Sequence, residues 1–288
     1  MAEGTDDRQD THAEVDAALK DWRQGDCAHG ELWFAHRVEP SRPLTEAAKL
    51  AAEASETLAE TQELGVVILT QSCDVVRACR ERPFVEVAPL VEVSPESVRN
   101  IERGRQPRYA FVPGVADRRL VADLDRSMTV EKAVVATWVR IEGCKSDPET
   151  RAFAQALARK CARFAFPDDF VGLATRLQSR LIGKHAKESE EGAALRNLRE
   201  IRVRAAPSWD NPDSVELMIW FIRDDGGDFL EERTWAQHLK SWLALVPVTG
   251  RFVSVDGQVV TLDDITARDL VESDPLDLDH LSSAASGT

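Results

Sequence analysis

Long apolar runs are missing from this sequence, and none approaches the ~20 residues that a membrane-spanning helix needs. The first stretch, Met1 to Asp16, is polar and acidic and lacks the apolar centre of a signal peptide. Together these absences predict a soluble, cytoplasmic chain with no membrane partner. Cysteine is scarce. Cys27, Cys73, Cys79, Cys144 and Cys161 are odd in number and scattered, which is no disulfide framework and suits a reducing compartment. Positive charge is in deficit: 36 Lys and Arg face 50 Asp and Glu, a net charge of −14. That disfavours non-specific binding of nucleic acid or anionic membrane by the whole surface, and it leaves local basic sites open. Also absent are a phosphate-binding loop, a Gly-x-Gly-x-x-Gly after a strand, a His-Glu-x-x-His and a Gly-x-Ser-x-Gly. Nucleotide-driven and common hydrolase chemistry therefore has no support, and no cofactor is expected.

What is present is an ordinary globular balance, 43% hydrophobic and 30% charged, over 288 residues. Helix is expected from Ala13 to Trp22, after a mobile tail, and again over the Ala- and Glu-rich Leu44 to Leu64. Strands are expected at Glu31 to Val38, Val66 to Leu69, Phe84 to Val93, Tyr109 to Val112 and Leu120 to Leu124. Val66 to Leu69 is uniformly apolar and largely β-branched, so it should be a central strand buried on both faces. Asp74 should cap a short turn over Val75 to Arg80. Two helices follow, Asp147 to about Phe164 and Pro167 to about His185, with apolar stripes at helical spacing. Strands then come at Ile201 to Arg204 and Val215 to Arg223, and a helix at Phe229 to Leu245. Asp256-Gly257, between two short apolar runs, is a hairpin signal.

The pattern predicts an α+β chain: a small SH3-like barrel or rolled sheet in the N-terminal half, a helical pair, then a mixed α+β part. The expected divisions are a tail over 1–18, the β-rich part over 19–145, the helical pair over 146–192, the α+β part over 193–273 and a tail over 274–288.

Residues 24–93 have an order that resembles PemK/MazF-type toxins, small barrels acting on RNA. Gly25-Asp26 leads into a strand, a second apolar strand ends in a polar tip, and a third segment ends Val87-Ala88-Pro89-Leu90. The tip Gln71-Ser72-Cys73-Asp74 also resembles prokaryotic proteins with a (Ser/Thr)-Gln-x-Cys-Asp signature, as do Arg163 to Asp169 and Leu276 to Asp279. In the toxins an Arg-Pro commonly precedes the central strand, and that Arg takes part in RNA cleavage. Leu64-Gly65 stands there in this chain. The resemblance therefore implies the barrel more than the ribonuclease.

Four candidate sites follow from the residues. Cys73, with Gln71 and Asp74, is a candidate thiol nucleophile, with Arg77, Arg80 and Arg82 nearby to favour a thiolate. Its base would have to come from elsewhere, for example His29 or His36; the alternative is a structural Cys at a strand end. Cys27, His29, Cys73 and Cys79 are metal-ligand types, but their spacing matches no paired zinc pattern, so no metal is expected. Arg99, Arg103, Arg105 and Arg108 precede Tyr109, and Arg151, Arg159, Lys160 and Arg163 recur on a helix, continued by Arg176, Arg180, Lys184 and Lys187. This basic island could hold RNA or DNA, or it could pair with acidic parts of the same chain. Acidic pairs at Asp123/Asp125, Asp224/Asp225/Asp228 and Asp263/Asp264 read as turns and caps. The function expected is that of an accessory or effector protein of a toxin or defence system, binding nucleic acid or a protein. A thiol enzyme using Cys73 and a pure protein-interaction module are the alternatives.

Overall fold

Val66, Val67 and Ile68 are each at most 1% exposed, as their composition predicts for a strand covered on both faces. The computed structural model that places them describes residues 6–162, 164–185, 187–224 and 231–276. The chain divides into two compact units, 1–161 and 162–288.

The first unit runs α1 (Asp6–Leu19), β1 (Cys27–Arg37), α2 (Glu46–Glu53), β2 (Leu58–Ile68), α3 (Ser72–Val75), β3 (Phe84–Glu92) and α4 (Pro95–Glu102). It continues with β4 (Tyr109–Phe111), a 3-10 turn (Pro113–Arg118), β5 (Leu120–Asp123), β6 (Met128–Glu131), α5 (Lys132–Val135) and α6 (Asp147–Cys161). The strand order is β1-β2-β3-β5-β4, with β6 also on β3, and every pairing is antiparallel. β3 forks: Phe84 to Val87 pair with β6, and Leu90 to Glu92 pair with β5. The fork curls the sheet into the half-barrel that the sequence predicted. Alternate residues of β2 feed different cores. Val66 and Ile68 pack with Trp22, Phe34 and Val85, whereas Val67 packs with Cys27, Leu90 and Phe153 of α6.

Three local expectations are corrected. Leu44 to Leu64 is not one helix: α2 ends at Glu53, Ser55 takes φ 57°, and Leu58 onward pairs with β1. Helix-forming Glu and Ala were overridden by strand pairing, and the alternating exposure of Leu58 to Leu64 is the strand's own period. Asp74 does not cap the tip helix; Gln71 is the N-cap and α3 spans Ser72–Val75. Finally, α1 begins at Asp6, within the stretch expected as a tail, and Leu19 at its end is buried.

The second unit contains α7 (Asp168–His185), α8 (Glu190–Asn197), β7 (Leu198–Ala206), β8 (Val215–Arg223), α9 (Glu232–Leu243), β9 (Phe252–Val260), α10 (Ala267–Val271) and β10 (Asp274–Leu276). Its sheet has the order β10-β7-β8-β9, with β8 and β9 parallel. Phe170, Leu173, Leu177 and Leu181 of α7 pack with Ile201, Val203, Trp235 and Trp242. The predicted hairpin at Asp256-Gly257 is absent, because β9 runs straight through both residues, with Gly257 opposite Ile219. A Cβ on Gly257 would lie 2.7 Å from the Ile219 carbonyl oxygen and 2.9 Å from Leu243 Cδ2. The glycine thus serves a close approach rather than a turn. Among the described residues, no helix is long and apolar enough to cross a membrane.

Candidate functional site

The polar tip grows from the end of β2. Leu69 N donates to the Glu86 carbonyl at 2.9 Å, and Glu86 N donates to Thr70 Oγ1 at 2.7 Å, so the tip remains laced to β3. From the other side Gln24 Nε2 donates to the Leu69 carbonyl at 2.7 Å, and Gln24 N donates to Ser72 Oγ at 3.1 Å. Cys73 is exposed, and its thiol meets Gln71 Oε1 at 3.9 Å. Asp74 pairs with Arg77 at 3.8 Å.

The two candidate bases point elsewhere. β1 pairs His29 with Gly65 and His36 with Ala59, so β1 carries them along β2 away from the tip. His29 Nδ1 lies 3.4 Å from the Leu64 carbonyl oxygen, and His36 Nε2 lies 3.4 Å from Thr61 Oγ1. Burial lowers both imidazole pKa values, with Arg118 beside His29 and Arg126 beside His36 adding to it. Among the described residues, neither histidine bonds to Cys73. Gln71, Cys73 and Asp74 share the tip, and among the described residues neither His29 nor His36 reaches it as a base.

A residue that the sequence reading missed organises this tip. Lys132 at the start of α5 is 1% exposed. Its ammonium donates to the carbonyls of Asp74 at 2.9 Å and Arg77 at 2.5 Å. Burial pushes its pKa down, while the nearby Asp16 pulls it up. Asp16 of α1 accepts from Cys79 N at 2.8 Å, and burial followed by this carboxylate raises the Cys79 thiol. The segment 74–79 is therefore stapled from α5 and from α1. The cue in the sequence was a lone Lys just before Ala133-Val134-Val135, too slight to separate from a surface residue. Beside the staple, Val76 is 42%, Phe84 53% and Val134 45% exposed. They lie on the three segments that Lys132 joins, since its own N–H also donates to the Pro83 carbonyl.

Most basic candidates are internally engaged. Arg108 and Arg126 both bond Asp123, whose side chain is 3% exposed, at 3.3 and 3.0 Å. Arg108 also meets Asp125 at 3.2 Å, Arg126 meets Glu63 at 2.7 Å, and Lys160 pairs with Asp125. Three cations thus face three carboxylates. Burial alone would raise the Asp123 carboxyl, but the bonds from Arg108 and Arg126 outweigh it and hold the pKa below its ordinary value. Arg108 also lies over the Tyr109 ring at 5.1 Å. Arg159 donates to the Gly104 carbonyl at 2.6 Å, where φ is +69° and a Cβ would strike the guanidinium. Arg105 is buried, Arg151 pairs with Asp147 at 3.7 Å, and Arg99 on α4 and Arg103 at its C-cap are exposed. Arg163 lies outside the described residues, as do Asp225, Asp228 and residues 277–279. In the second unit Arg180 grips Glu191 with two bonds of 2.9 Å, and Lys184 stands 3.9 Å from the same carboxylate.

The metal-ligand types are dispersed. Cys27 is fully buried and its thiol pKa is raised by burial, with Asp26 adding to it. Burial, then Glu149 and Asp26, push the Cys144 thiol up to about 11. Among the described residues, no group of three or more His, Cys, Asp or Glu side chains is placed to hold a metal ion. No family model, curated protein or solved structure matches this chain.

Proposed function

We propose that this chain is a cytoplasmic accessory or effector protein of a toxin or defence system, and that its first unit is a PemK-like half-barrel used to bind a protein partner. The observation that carries this reading is the exposure of Val76, Phe84 and Val134 on the three segments that the hydrogen bonds of Lys132 join, at a tip that Asp16 also ties to α1. A surface tied in this way loses little conformational entropy on association, and exposed apolar side chains gain from being covered. The charge pattern favours protein over nucleic acid. Phosphate binding needs uncompensated cations, and Arg108, Arg126 and Lys160 are compensated.

A second reading, a thiol enzyme using Cys73, is favoured by the exposure of that residue. His29 and His36, the bases expected for it, are engaged along β1 and β2 instead.

The test compares wild type with Val134→Glu, expressed at equal levels in the native host and recovered after cross-linking. The expected result is a stoichiometric protein partner with wild type, lost with Val134→Glu while the melting temperature is kept. Recovery of the same proteins with both, or of none with either, contradicts the proposal.

A further inference from the structure

The ladder between β1 and β2 leaves one edge of the sheet without a partner. Val38 N donates to the Thr57 carbonyl at 2.9 Å, and the pairing continues in register from Arg37 opposite Leu58 to Leu32 opposite Glu63. Main-chain groups of an antiparallel strand alternate between its two edges. Thr57, Ala59 and Thr61 therefore turn theirs to β1, and Leu58, Glu60 and Gln62 turn theirs away from it. β3 does not meet that second edge, because it pairs with β2 only over Val66 to Ile68. Among the described residues nothing bonds to the main chain of Leu58, Glu60 or Gln62 on that side. The outer edge of β1 differs. There Cys27 exchanges bonds of 2.9 and 2.8 Å with Ile141, and Ala35 N donates to Met128 Sδ at 3.5 Å.

A groove of about 920 Å³ follows the open edge. Every residue from Ser55 to Gln62 lines it. Consecutive residues of a strand share an edge but not a face, so the groove runs along the edge. Its other wall is Ala47, Leu50 and Ala51 of α2. Leu50 is 66% and Leu58 58% exposed, so the groove offers apolar surface. It also offers negative charge. Glu56 and Glu60 line it, both are exposed, and among the described residues neither forms an ion pair, whereas Lys49 of α2 is committed to Glu46. Segment 58–64 contains no Pro and no Lys, the residues that commonly blunt an exposed edge.

We infer that β2 accepts an added strand in this groove, supplied by an extended segment of another protein in which apolar residues alternate with Lys or Arg. Main-chain bonds to Leu58, Glu60 and Gln62 hold the segment. Side chains of a strand alternate in direction, so the apolar set covers Leu50 and Leu58 while the basic set answers Glu56 and Glu60. A second copy of this chain fits less well, since it would bring the same unpaired acids to the groove. The groove lies at the start of β2 and the polar tip beyond its end, so the inference does not rest on the partner proposed at the tip.

Fluorescence anisotropy tests this with the full chain and a labelled peptide, acetyl-Lys-Val-Lys-Val-Lys-Val-Lys-amide, at physiological salt. The peptide should bind at one saturable site, and its counterpart with Glu in place of Lys should not bind. An added strand pairs through one of its edges only. Of two forms of the peptide N-methylated at alternate residues, one for each edge, one should keep the affinity and the other should lose about tenfold. Gln62→Pro removes an outward N–H, which an edge strand tolerates, and should weaken the peptide about tenfold with the melting temperature kept. Equal affinity of the two methylated forms, or no saturable site, overturns the inference, and these arms decide it even where Gln62→Pro fails to fold. Unchanged binding by folded Gln62→Pro also overturns it. So does a dimer in sedimentation that Gln62→Pro dissociates, because the edge would then belong to a second copy.

Discussion

Cys73 shows why residue type alone is a weak guide to chemistry. Its setting, a strand end followed by arginines, is the one in which a thiolate nucleophile is sought. Whether a base stands beside it depends on which rung of β2 each histidine of β1 meets, and register is not written in the local sequence. Lys132 is the converse case, a charged residue whose role arises because α5 folds back on the carbonyls of Asp74 and Arg77. The thiols separate cleanly by environment: Cys73 and Cys161 are exposed, Cys27 and Cys79 are buried, and Cys144 is raised to about 11. A disulfide exchange reagent at mild alkaline pH should therefore titrate two thiols quickly in the native protein and all five after denaturation. Rapid reaction of Cys27 would mean that the half-barrel core opens readily. A Cys73 rate far above that of Cys161 would favour the thiol enzyme.

Elements were legible where one physical signal dominated. Val66 to Ile68, α7 and β8 each carry an apolar pattern whose period or density matches their burial, whereas of the α6 stripe only Phe153 is buried. Leu44 to Leu64 and Asp256-Gly257 misled for opposite reasons. In the first, propensity pointed to helix and tertiary pairing prevailed; in the second, a turn dipeptide proved to be a place where two strands and Leu243 crowd together. The join between β4 and β5 rests on Asp123. Its carboxyl pKa is lowered in the folded state, so its contribution is complete above the ordinary carboxylate pKa and is lost as pH falls through the folded value. Asp123→Asn should cost about 2 kcal/mol at neutral pH. The gap to wild type should close below about pH 4. Urea midpoints across that range measure it, and a gap that persists in acid would show that packing, not charge, sets the cost.

At the scale of the whole molecule, the α+β class and the N-terminal half-barrel follow from the order of the predicted strands, and both are present. The basic island did not reveal its use in the same way. A count of charges along the chain registers Arg108, Lys160, Arg180 and Lys184 as an excess, while the fold sets Asp123, Asp125 and Glu191 against them. Net charge by segment says little about potential once distant acids are brought into contact. Engaged by carboxylates of their own chain, these cations are expected to hold the fold rather than grip phosphate. The direct measurement is the anisotropy of labelled single-stranded RNA and duplex DNA, titrated with wild type and Arg108→Ala at low and physiological salt. The expected result is no saturable binding at physiological salt, and weak low-salt binding that Arg108→Ala leaves unchanged. Tight binding that falls steeply with salt, and that Arg108→Ala weakens about tenfold, would contradict it.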